Sequence, residues 1–97
     1  MIATTIFFAE LWGIINNAGV AGPTLPADFI HYDDYEPVMR VNYFGAVNVI
    51  HTFLQHITKN RGRIVNTCSM VSYTYLPYCG PYLASKAAIF ALSQSLR

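Results

Sequence analysis

A chain of 97 residues is one domain at most, long enough to bury a core but short for anything elaborate. With 54% hydrophobic and 11% charged residues it has too little polar surface to cover a free-standing domain of this size, and it reads as the interior piece of something larger. A net charge of +1 without a long basic run excludes an electrostatic footprint for nucleic acid.

Residues 1–10 carry no usable pattern. Met1 to Ala9 is apolar, but it lacks a basic flank and Glu10 interrupts it well short of the roughly 20 residues that span a bilayer, so neither a signal peptide nor a membrane helix is predicted there. From Leu11 the run Leu-Trp-Gly-Ile-Ile leads into Asn16-Asn17-Ala18-Gly19, the pattern of a short strand buried on both faces and ended by turn residues. Residues 20–27, with two prolines and a glycine, form a loop.

Asp33 is predicted to cap a helix, with Glu36 completing a capping-box pair and Pro37 in or just beyond the first turn. The helix should run to about Lys59. Along it Val38, Val41, Gly45 and Val49 define an apolar face, and Asn42 sits inside that stripe. A buried amide costs free energy unless it finds partners, and Gly45 costs about 1 kcal/mol relative to alanine unless another backbone approaches there. The cluster Lys59-Asn60-Arg61-Gly62-Arg63 reads as a helix stop. Arg63–Cys68 is a second strand ending at Ser69, residues 70–80 are a loop, and Tyr82–Arg97 is a helix. Its small residues Ala84, Ser85, Ala87, Ala88 and Ala91 permit close packing.

Strand, helix, strand, helix with crossover-length connections argues for an α/β fold with a parallel sheet, in which ligands bind beyond the carboxyl ends of the strands. Asn16 to Gly19 and Ser69 fall there, and Tyr82 opens the following helix. If that helix starts near Pro81, Tyr82 and Lys86 lie four apart on one face. A phenol with a reference pKa of about 10 is a poor acid or base at neutral pH, but a nearby cation favours the phenolate, which makes Tyr82 a candidate general acid/base. The competing explanation is a surface lysine packing its stem on an aromatic ring. Cys68 and Cys79, eleven apart, lack redox or zinc spacing and read as reduced thiols in a reducing compartment. His31, His51 and His56 lack metal-ligand spacing, so no metal site is predicted.

Asn16-Asn-Ala-Gly19, Val41-Asn42 followed by Gly45, Gly62-Arg-Ile-Val-Asn66, Ser69 and Tyr82-x-x-x-Lys86, in this order and spacing, resemble the central and catalytic portion of a short-chain dehydrogenase/reductase. Leu11-Trp12-Gly13 and Asp33-Asp34-Tyr35 are most similar to the retinol and hydroxysteroid dehydrogenase branch. The resemblance implies a partial Rossmann-like, doubly wound parallel sheet over residues 1–97, without the N-terminal glycine-rich cofactor unit and the C-terminal substrate region. It implies NAD or NADP as cofactor and an alcohol or carbonyl, retinol- or steroid-like, as small-molecule substrate. By resemblance Asn42, Ser69, Tyr82 and Lys86 are the catalytic residues. Tyr82 would exchange the proton, Lys86 would hold the nicotinamide ribose and favour the tyrosinate, Ser69 would bind the substrate oxygen, and Asn42 would hold a water joining Lys86 to solvent. Asn17, Ala18 and Gly19 would lie against the adenosine side of the cofactor, with Tyr82 and Lys86 completing its site. The family usually has a small hydroxyl residue before the serine and a glycine three after it, where this chain has Cys68 and Ser72.

The same resemblance implies a homo-oligomer in full-length form, a cytoplasmic location or one on the cytosolic face of an internal membrane, and membrane association only through segments absent here. A second expectation is a non-catalytic interaction module whose two helices dock on an intact relative, with the 97-residue chain inactive by itself.

Overall fold

The computed structural model describes residues 11–70 and 76–97. Two strands, β1 (Gly13–Asn16) and β2 (Arg63–Asn66), pair in parallel with Ile14 opposite Ile64 and Asn16 opposite Asn66. The connection between them carries short turns at Ala27–Phe29 and Tyr32–Asp34, then helix α1 (Tyr35–Met39), a π turn (Arg40–Phe44) and helix α2 (Gly45–Lys59). Helix α3 (Gly80–Ser95) follows β2, with Pro81 in its first turn, where a missing N–H costs nothing.

Helices α2 and α3 pack on one face of the sheet. Leu11 and Ile14 form a core with Val49 and Ile57 of α2, against which Phe53 and Ile64 also pack. On the same face, Asn66 Nδ2 donates to Ser93 Oγ of α3 at 2.8 Å. Side chains alternate along a strand, so Ile15 and Val65 point the other way and stay 42% and 52% exposed. The expected burial of both strand faces is therefore met on one face only, and the uncovered one accounts for part of the apolar excess in the composition.

The helix begins differently from the Asp33–Glu36 expectation. The His31 amide donates to Asp34 Oδ2 at 2.9 Å, a capping box that belongs to the short turn Tyr32–Asp34 ahead of α1, while Glu36 forms an exposed pair with Arg40 four residues on, at 3.1 Å. The apolar stripe also shifts. After Val38 the buried positions on α2 and the π turn are Asn42, Ala46, Val49, Ile50 and Ile57, while Val41 and Gly45 are only half-buried, because the i→i+5 turn inserts an extra residue into the helical repeat.

The stop at Lys59 is a Schellman motif: the Gly62 amide donates to the Ile57 carbonyl at 2.8 Å and the Arg61 amide to the Thr58 carbonyl at 3.3 Å. Arg61, not the glycine, takes the left-handed conformation (φ 53°). Gly62 is required for a different reason. A Cβ on it would lie 1.9 Å from the Trp12 carbonyl oxygen, the same oxygen that accepts the Arg63 amide at 2.9 Å and starts the strand pairing.

Candidate functional site

The carboxyl ends of β1 and β2 are joined beyond the strands themselves. The Thr67 amide donates to the Asn16 carbonyl at 2.9 Å, Asn16 Nδ2 to Asn66 Oδ1 at 2.8 Å, and Thr67 Oγ1 to Asn17 Oδ1 at 3.1 Å. The paired asparagines at the strand tips add a side-chain bond beside the last backbone pairing, which fixes where the Asn16–Gly19 turn leaves the sheet.

Helix α3 points its first turns at this turn. Lys86 is buried, 6% exposed, and its Nζ donates to the Thr67 carbonyl at 3.1 Å and lies 5.7 Å from the centre of the Tyr82 ring. The i, i+4 spacing thus brings ammonium and phenol together, and the lysine runs inward rather than along the surface. Tyr82 is half-buried.

Asn42 sits across from Lys86 in the π turn and is 3% exposed. Its Oδ1 accepts the Val20 amide at 2.8 Å; its Nδ2 donates to the Val20 carbonyl at 2.8 Å and to Ser85 Oγ at 2.9 Å. Both amide hydrogens and one oxygen lone pair are used within the protein. Ser85, wholly buried, passes its own hydrogen to the Tyr82 carbonyl at 2.8 Å, so one chain of hydrogen bonds ties the loop after β1, the π turn and the turn of α3 that carries Tyr82.

Gly19 closes the arrangement. A Cβ there would lie 3.2 Å from Asn42 Oδ1 and 3.6 Å from Lys86 Nζ, so the bare backbone of the turn is set directly against both groups. Asn17 and Gly19 are exposed and Ala18 half-buried, leaving an open surface beside Lys86 where a bound group could lie. A glycine pressed on the lysine and an exposed turn on its outer side fit a flat, polar cofactor edge.

Ser69 is half-buried and lies two residues beyond Thr67, the residue that holds Lys86. Ser72 lies outside the described residues. The segment after β1 is tied to the entry of α3 by the Leu25 amide, which donates to the Tyr78 carbonyl at 2.7 Å, and the start of α1 meets it at Tyr35, whose hydroxyl would lie 3.2 Å from a Cβ on Gly80. Cys68 and Cys79 are free thiols. Among the described residues no helix is long and apolar enough to cross a membrane, and no group of three or more His, Cys, Asp or Glu could hold a metal ion.

Asn42, Gly19, Tyr82 and Lys86 are thus brought together as a unit. Two participants escaped the reading of the sequence. Ser85 looked like a small packing residue, although its place three after Tyr82 is a spacing from which a serine hydroxyl can bond back to the helix. Thr67 acts on Lys86 through its carbonyl, which leaves no mark on the side-chain pattern.

The short chain dehydrogenase family model matches residues 3–97. Human 17-beta-hydroxysteroid dehydrogenase type 2 is 40% identical over 87 residues, which is 90% of this chain and 22% of that protein. Human retinol dehydrogenase 16 is 37% identical over 87 residues, covering 90% and 27%. Among solved structures, an NAD+-bound xylitol dehydrogenase superposes with a TM-score of 0.84 at 35% identity, over 90% of this chain and 34% of that one. The chain spans about a quarter of the length of the curated relatives it matches.

Proposed function

This chain belongs to the short-chain dehydrogenase family, and from that premise we propose that it carries the catalytic segment of an NAD(P)-dependent oxidoreductase acting between an alcohol and the corresponding carbonyl. The observation that carries the reading is the convergence of Tyr82, the buried Lys86 and the Asn42 network on the Gly19 turn, at the carboxyl end of a parallel strand pair. The names of the relatives support a retinol- or steroid-like alcohol as the substrate class. In this reading Asn17, Ala18 and Gly19 would hold the adenosine side of the cofactor, with Tyr82 and Lys86 on its nicotinamide side. The cofactor, when bound, supplies or accepts the hydride.

The residues of this chain manage the proton. In alcohol oxidation the Tyr82 oxygen takes the hydroxyl proton as the carbonyl forms; in reduction it returns one. Lys86 sets a buried ammonium beside the Tyr82 ring, and the Thr67 carbonyl and the Gly19 backbone keep it in place. Ser69 donates to or accepts from the substrate oxygen. Asn42 positions the first turns of α3 through Ser85, and with its amide hydrogens occupied, a water joining Lys86 to solvent would use its remaining acceptor capacity. The free thiols support a reducing compartment, cytoplasmic or on the cytosolic face of an internal membrane, and exposed Ala84, Ala87 and Ala91 along α3 support a homo-oligomeric interface in the full-length protein.

The test is turnover of the full-length protein with NAD or NADP and secondary alcohols of retinol and steroid type. Tyr82→Phe, which keeps the ring and removes the acid/base, should lower kcat by roughly 100- to 10,000-fold while the protein still binds cofactor. Turnover undiminished in that variant would remove the proton-transfer role from Tyr82.

A further inference from the structure

Asn16 is 93% buried by its 7% exposure, and with its Nδ2 committed to Asn66, no donor reaches its buried Oδ1 among the described residues. A buried amide oxygen left unpaired costs about 1–3 kcal/mol, so native proteins seldom keep one without a partner. Asn16 lines a cavity of about 10 Å³ together with Ala18, Val41, Asn42, Ala46, Thr67 and Ile89. That is close to the smallest space that holds a single water, and a water there needs at least two polar partners.

The π turn supplies the second. In an uninterrupted α-helix the Gly45 amide would donate to the Val41 carbonyl, but here it donates to Arg40 instead. The Val41 carbonyl, on a residue lining the same cavity, is thereby deprived of its ordinary donor.

We propose that this cavity is an internal hydration site, in which one ordered water donates one hydrogen to Asn16 Oδ1 and the other to the Val41 carbonyl. The water joins the tip of β1 to the helix and holds the π turn open. Lys86 is not among the residues lining this cavity, and the water proposed here is held by Asn16 and Val41 rather than by the lysine.

A crystal structure of the full-length protein at a resolution that shows ordered solvent tests this directly. One water within hydrogen-bond distance of both Asn16 Oδ1 and the Val41 carbonyl is expected; an empty cavity, or another part of the full-length chain bonded to Asn16 Oδ1, would overturn the proposal. A pair of variants at Ala46 gives an independent reading, since serine and cysteine are close in size and helix propensity but only serine brings a good donor. The Ala46→Ser hydroxyl can take the place of the water, whereas Ala46→Cys displaces it and strands the amide oxygen. The folded-to-unfolded ratio of the cysteine variant should be roughly 5- to 30-fold below that of the serine variant. Equal ratios, or cysteine the more stable, would count against a bound water, and if neither variant folds the crystal structure alone decides.

Discussion

Replacing Asn42 by alanine isolates what holds the site together. The side chain is 3% exposed and makes three hydrogen bonds of 2.8, 2.8 and 2.9 Å, to the Val20 amide, the Val20 carbonyl and Ser85 Oγ. These losses are unequal. Val20 is 43% exposed, so water can serve its two backbone groups in the variant, and each costs about 0.5 kcal/mol. Ser85 is wholly buried but keeps its bond to the Tyr82 carbonyl, so it loses one of two partners, about 1 kcal/mol. The space left by the amide adds about 0.5–1 kcal/mol, for a total of about 2.5–3 kcal/mol. Urea unfolding of the full-length protein reads this as a lower midpoint at an unchanged slope. A destabilisation below about 0.5 kcal/mol would mean that Asn42 does not join these elements, and the reasoning from its hydrogen bonds would fail.

Gly62→Ala should cost about 2–4 kcal/mol by the same assay, because its Cβ would stand 1.9 Å from the Trp12 carbonyl and the clash is with backbone that cannot rotate away; a neutral outcome would refute the strand register at Gly13 and Arg63. Gly19→Ala meets Asn42 Oδ1 at 3.2 Å and Lys86 Nζ at 3.6 Å, which should cost stability only about 1 kcal/mol yet weaken cofactor binding several-fold, measured by titrating the full-length variant with NAD and NADP. Ile14→Ala, emptying a fully buried core position, should lower stability by about 2–5 kcal/mol with little effect on cofactor affinity in the protein that remains folded.

The alternation of strand and helix, the four-residue spacing of Tyr82 and Lys86, and an asparagine inside an apolar stripe all belong to side-chain pattern, and each was legible before the fold was known. The π turn was not. Nothing in Arg40–Phe44 breaks helix propensity, and the turn shows only in which residues are buried after Val38. Gly62 was read as a helix terminator because glycine is the common left-handed residue at that place, whereas the left-handed residue is Arg61 and the glycine answers to a carbonyl fifty residues earlier in the chain. Such long-range steric demands, like the Thr67 carbonyl that anchors Lys86, leave no local signature. The capping box lies two residues earlier than Asp33–Glu36, at His31–Asp34, since Asp33, Asp34 and Glu36 all satisfy the composition of a helix start and only geometry selects Asp34.

The proton-transfer assignment is tested most directly by a crystal structure of the full-length protein bound to nicotinamide cofactor and substrate alcohol. The expected result is the substrate oxygen within hydrogen-bond distance of both the Tyr82 hydroxyl and Ser69 Oγ, with Lys86 Nζ directed at the cofactor ribose. A substrate oxygen held by other groups, with Tyr82 and Ser69 opening into separate hollows, would contradict it.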